Sequence, residues 1–141
     1  MGVTLDDDAR RYLAAFEDVT GVDGRDCLVT EGDDRLLIVV ERGGMGEAIG
    51  PGGRTVERLE DRVNAQVRLV EGADTAEEFV ANLLAPAAVY NVTISENNDT
   101  VAYVEVAEDD HGVAIGTNGR TIDAARTLAA RHFGIDDVQL I

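Results

Sequence analysis

One eleven-residue segment occurs twice in this chain, 66 positions apart. Met45-Gly-Glu-Ala-Ile-Gly-Pro-Gly-Gly-Arg-Thr55 returns as His111-Gly-Val-Ala-Ile-Gly-Thr-Asn-Gly-Arg-Thr121, with seven of the eleven residues identical. A repeat at that spacing divides 141 residues into two copies of one small unit, and sets the architecture before any single element is considered. A boundary near Gly72-Ala73 gives units 1–72 and 73–141.

The flanks repeat as well. Leu36-Leu-Ile-Val-Val40 precedes the first copy as Ala102-Tyr-Val-Glu-Val106 precedes the second, and both are rich in the β-branched and aromatic residues that favour strands. Val67–Val70 and Val138–Ile141 read as closing strands. The second lies five residues later than the repeat predicts, which points to a longer helix through Arg131 and a turn at Gly134. Each unit opens with a helix. Thr4 is the expected cap of the first, with Asp6, Asp7 and Asp8 suiting its positive end, Leu5, Tyr12, Leu13 and Phe16 as its apolar face, and Gly21 as its stop. Asp74 or Thr75 caps the second, with Phe79, Val80, Leu83 and Leu84 as the buried face and Pro86 ending it. Strands at Asp26–Glu31 and Ala88–Ser95 follow, with turns at Gly32-Asp33-Asp34 and Asn97-Asn98-Asp99. The predicted order in each unit is helix, strand, strand, short helix, glycine loop, long helix, strand, an α/β (α+β) fold with a three-stranded sheet packed on three helices.

The loops are Gly50-Pro51-Gly52-Gly53 and Gly116-Thr117-Asn118-Gly119. Glycine permits the positive φ of a tight turn, and its missing side chain lets a sugar–phosphate backbone come close. Amides at the start of the following helix, aided by its dipole, are then expected to face phosphates, with Arg54 and Arg120 adding a charged fork. A single isolated GxxG reads better as a helix-ending turn; two copies in one context favour the ligand-binding reading.

Ala-Ile-Gly-x-x-Gly-Arg after a strand and a short helix resembles the KH domain, and the element order resembles its type II form. Two such units over residues 4 to 141 resemble the short archaeal NusA-type transcription factors. The resemblance implies a groove for single-stranded RNA, one wall being the loop and its helix, holding about four nucleotides. It implicates Ile49, Gly50, Pro51, Gly52, Gly53 and Arg54 in the first unit, and Ile115, Gly116, Thr117, Asn118, Gly119 and Arg120 in the second, with the isoleucines on the groove floor. It implies RNA polymerase as a further partner, a role in transcription elongation, termination or antitermination, and docking through the KH units themselves. The chain departs from the family where a basic residue commonly stands between the glycines. Pro51 also stiffens the first loop, so the two sites are not expected to be equivalent. A ribosomal-RNA or ribosome-assembly factor, and a KH-fold protein-interaction module without RNA binding, are the alternatives.

Charge bears on which forces could hold a ligand. Twenty-eight acids oppose twelve bases for a net charge of −16, all twelve bases are arginine, and the acids are spread between apolar segments. Such a surface suits molar salt, where the Debye length falls to about 3 Å and self-repulsion is screened. There, counterion release from phosphates loses its driving force, so stacking, apolar contact and amide hydrogen bonds should carry the affinity. Arg54, Arg58 and Arg62 form a stripe that reads either as a basic rail or as i,i+3 pairs with Glu57 and Asp61; the second unit has Arg120, Ala124 and Leu128 there.

No apolar run approaches the roughly 20 residues of a membrane span. The acidic stretch Met1–Arg11 lacks the apolar region of a secretory signal. The lone Cys27 reads as a buried thiol, and the chain as cytoplasmic. His111 and His132 lack metal-ligand spacing, and Tyr12, Tyr90 and Tyr103 read as core or sheet packing. No phosphate loop of the GxxxxGK[ST] type, metalloprotease HExxH or nucleophile elbow occurs. The expectation is a protein with no catalytic residues, metal, cofactor, small-molecule substrate or membrane partner.

Overall fold

The computed structural model describes residues 6–30 and 35–141. The expected Thr4 cap, the Leu5 contact and the turn at Gly32-Asp33-Asp34 lie outside these residues. The chain divides into two compact units, 1–72 and 73–141, each with its own three-stranded sheet.

In the first unit, helix α1 (Asp7–Thr20) is capped by Asp6, whose carboxylate accepts from the Ala9 amide at 2.7 Å. Such a cap is worth about 1 kcal/mol. Asp6 is therefore the cap and not part of the helix, while Asp7 and Asp8 lie in the first turn. The spacing of Ala9, Leu13 and Phe16 puts all three on one face, and all are buried. The helix closes at Gly21, whose amide donates to the Glu17 carbonyl at 2.9 Å.

Strand β1 (Gly24–Thr30) pairs antiparallel with β2 (Arg35–Val40), and β2 pairs parallel with β3 (Gln66–Glu71), so β2 is central. Leu36, Ile38 and Val40 alternate toward the helices and share a core with Phe16, Val22, Cys27, Ala48 and Leu59. Leu37 and Val39, on the opposite face, are buried too, which is why β2 reads as an unbroken apolar run. Cys27 is buried, as the sequence suggested. Helices α2 (Met45–Ile49) and α3 (Arg54–Val63) form the crossover between β2 and β3.

The second unit repeats this plan. Helix α4 (Ala76–Leu84) is capped by Thr75, whose hydroxyl accepts from the Glu78 amide at 3.2 Å, and buries Phe79, Val80, Leu83 and Leu84. Strands β4 (Val89–Glu96), β5 (Thr100–Val106) and β6 (Asp137–Leu140) repeat the antiparallel and parallel pairings around a central β5. Between β5 and β6 lie α5 (His111–Ile115) and α6 (Arg120–Phe133). Helix α6 has 14 residues against 10 in α3, so four of the five extra positions extend the helix and one enters the connection to β6. The sheet register is unaffected: Leu36 faces Val67 in one unit as Ala102 faces Val138 in the other.

Tyr12 packs beside the first core, but Tyr90 is 69% exposed at the bulge of β4, contrary to the packing role expected of it. His132 meets Phe79 edge-on, with ring centroids 5.4 Å apart. Among the described residues Asp26 is the one charged side chain that is fully buried, so the other described acids reach the surface.

Candidate functional site

The two glycine loops adopt one backbone conformation. Gly50 and Gly116 sit at φ 75, ψ 169 and φ 79, ψ 167; Gly52 and Asn118 at φ 63, ψ 20 and φ 58, ψ 26; Gly53 and Gly119 at φ 76, ψ 11 and φ 75, ψ 13. Each loop is a single tight turn that ends one helix and starts the next. Ile49 and Ile115, the last residues of α2 and α5, are 40% and 42% exposed, while the alanine before each is buried and anchors the short helix.

The two glycines of a loop have different reasons to be glycine. The first occupies a region of φ and ψ open in practice to glycine alone. A β-carbon on Gly50 would also lie 2.7 Å from the Thr55 Cβ and 3.0 Å from its amide nitrogen; on Gly116 the Thr121 distances would be 2.9 and 2.8 Å. The close neighbour of the first glycine is thus the protein's own threonine, five residues on. The second glycine faces outward: nothing lies within 4 Å of a β-carbon on Gly53, and on Gly119 the nearest atom is an Asp123 carboxylate oxygen at 3.5 Å. Close approach of a ligand backbone, expected at both glycines, is open only at the second.

The amides at the helix starts also differ from expectation. Gly53 donates to the Gly50 carbonyl and Gly119 to the Gly116 carbonyl, both at 3.1 Å. Arg54 and Arg120 donate to the carbonyls of Pro51 and Thr117. Two amides that dipole reasoning offers to phosphate are consumed by the turn itself.

A family model for the NusA-like second KH domain matches residues 76–139. A probable transcription termination protein NusA of Halococcus morrhuae is 60% identical over 140 residues, covering 99% of each chain. This chain belongs to the archaeal NusA-like proteins. A relative of the same name from Halobacterium salinarum is 56% identical over 140 residues, covering 99% of each chain, and one from Methanococcus vannielii is 30% identical over 142 residues, covering all of this chain and 81% of its own. The crystal structure of APE1850 matches 97% of this chain and 100% of its own, with a TM-score of 0.84 and 31% identity. The mixed sheets and helix order are those of tandem type II KH domains.

Around the loops of this NusA-like chain the charges are unequally engaged. Arg54 and Arg58 are exposed and form no ion pair among the described residues, whereas Arg62 is paired with Asp18 of α1. The three-arginine rail is therefore two arginines long, and Arg62 ties α3 to α1. In the second unit Arg120 is half-buried, and Arg126 is held by Asp137 at 3.0 Å and Asp123 at 3.4 Å. On the first sheet, burial and then the neighbouring Arg35 lower the Arg68 guanidinium from its usual value. Val113 is 43% exposed, one turn before the second loop, where the first unit has Glu47. The sequence reading passed over Val113 and the Thr55 and Thr121 contacts, although all three belong to the repeated segment. No helix among the described residues is long and apolar enough to cross a membrane.

Proposed function

We propose that this chain is an RNA-binding transcription factor, acting in elongation, termination or antitermination, whose KH domains, 1–72 and 73–141, hold single-stranded RNA at their GxxG loops. The observation that carries the reading is the paired loop geometry. Two loops of one conformation each follow an exposed isoleucine, keep an outward-open second glycine and begin a helix with arginine. The isoleucines offer apolar surface to bases, the second glycines let the sugar–phosphate chain approach, and the arginines meet phosphates. Relatives named for transcription termination support the setting, with nascent RNA and RNA polymerase as partners and a cytoplasmic site of action. No bond is made or broken in this role, and no metal or cofactor enters it.

The test is binding of the whole chain to a labelled single-stranded RNA pool in multimolar KCl. A variant carrying Pro51→Asp, Gly52→Asp, Thr117→Asp and Asn118→Asp runs alongside, checked for folding by circular dichroism. Binding by the parent and its loss in the folded variant is the expected result. Equal binding by both makes the loops structural, and no binding by the parent leaves a KH-fold protein-interaction module. Co-purification with RNA polymerase against ribosomal particles separates transcription from ribosome assembly.

A further inference from the structure

The two loops share one backbone and differ in what it carries. At the first, third and fourth positions no angle differs by more than ψ at the third, 20° at Gly52 and 26° at Asn118. Because each turn uses the amides of its fourth residue and of the following arginine internally, a ligand's choice of loop falls to the second and third positions. In unit 1 these are Pro51, with no N–H, and Gly52, with no side chain. In unit 2 they are Thr117, with an amide and a hydroxyl, and Asn118, with a carboxamide that both donates and accepts. Both are exposed, and among the described residues neither side chain has a hydrogen-bond partner in the protein. Asn118 also holds φ 58, a left-handed conformation that glycine would take without strain, as Gly52 does in the other loop.

The surroundings differ in the same sense. Unit 1 offers charge: Arg54 and Arg58 without ion pairs among the described residues, with Glu47 and Glu57 nearby in sequence. Unit 2 offers more apolar surface: beside Ile115, the counterpart of the exposed Ile49, it adds Val113, 43% exposed, where unit 1 has Glu47. Charge attraction is screened by salt over a few ångströms, while hydrogen bonds and apolar contacts are not.

We propose that the second unit is the grip that works in concentrated salt, with Thr117 and Asn118 hydrogen-bonding the RNA, while the first supplies a salt-sensitive, charge-based contact. This rests on the RNA-binding reading above and assigns its two sites different parts. Asn118 presents a donor beside an acceptor, the chemistry of a base edge, and the Thr117 hydroxyl donates to phosphate or sugar oxygens.

Exchanging the loops tests this. Thr117→Pro with Asn118→Gly gives unit 2 the loop of unit 1, and Pro51→Thr with Gly52→Asn does the reverse. The shared angles accept both exchanges, and nothing lies within 4 Å of a β-carbon on Gly52. Binding of the full chain to a labelled single-stranded RNA pool is measured at low and multimolar KCl. In multimolar KCl the first exchange should weaken binding about tenfold, the worth of one net hydrogen bond, and the reverse exchange should strengthen it. At low KCl both effects should shrink as the unit 1 charges contribute. If the parent binds but the first exchange binds as tightly in multimolar KCl, the inference is wrong and the RNA reading stands. Should the first variant misfold, the reverse exchange decides: an absence of gain overturns the assignment. A parent that binds no RNA at either salt removes the RNA reading and this inference together.

Discussion

Alanine at the first or second glycine of a loop should have separable consequences. At Gly50 the substitution meets two penalties. The backbone, at φ 75 and ψ 169, lies where a β-carbon is strained, at about 1–3 kcal/mol. The new methyl would stand 2.7 Å from the Thr55 Cβ and 3.0 Å from its amide nitrogen, atoms fixed in the first turn of α3. Relieving that overlap shifts backbone, at about 1–3 kcal/mol more. Together these give about 2–6 kcal/mol for Gly50→Ala, and Gly116→Ala is equivalent. At Gly53 the left-handed backbone alone is penalised, at about 1–2 kcal/mol, because the methyl meets nothing within 4 Å. Denaturant unfolding in molar KCl, followed by circular dichroism, reads the difference. RNA binding should respond in the other direction: Gly53→Ala leaves the unit folded but obstructs the open face, so affinity falls without a matching loss of stability. If Gly50→Ala proves as mild as Gly53→Ala, the threonine does not wedge the first glycine and this account of the loop fails.

Removing a charge at the loop of unit 1 should change salt dependence more than affinity in concentrated salt: Arg54→Gln is expected to flatten the slope of log K against log salt by about 0.7, the value for one phosphate contact on a single strand. Leu59 and Leu128 are fully buried on the post-loop helices, so Leu59→Ala and Leu128→Ala should each destabilise by about 2–5 kcal/mol in denaturant unfolding, against well under 1 kcal/mol for Arg62→Ala, whose ion pair with Asp18 is exposed. The Asp137 carboxyl is held below its ordinary value, first by the Gln139 side chain and further by the Val138 amide and Arg126. Its contribution to stability is present above the unfolded carboxylate value and fades as pH falls through the depressed folded value, and in Gln139→Ala an NMR titration should find its pKa moved upward.

The repeat made most of the fold legible. Periodicity and turn residues placed the six strands and the long helices, and the five-residue offset at Val138 located the extra length of α6. What stayed hidden were contacts across a turn. Nothing in Gly50-Pro51-Gly52-Gly53 distinguishes a glycine closed by Thr55 from one open to solvent, because that depends on which way each Cα faces. The dipole argument likewise counted amides at the helix start without knowing that the turn bends back to use two of them. Arg62 lies on a regular arginine stripe, yet its partner, Asp18, is 44 residues away in sequence. Tyr90 sits in a strand pattern, yet it falls at the bulge between Val89 and Asn91, where its ring is exposed.

The difference in length between α3 and α6 limits how a chain of this kind can vary. Four added residues turn a helix through about 400°, little more than one full revolution, and lengthen it by about 6 Å. The chain therefore leaves α6 on nearly the same side as it leaves α3, and the one added residue in the connection lets β6 join β5 in the register that β3 keeps with β2. An insertion of two residues would leave the helix about 200° away and aim the last strand off the sheet. Length in this segment is thus quantised by the pitch of the helix: whole turns can be gained or lost at the C-terminal end, while the loop at the other end stays where it is.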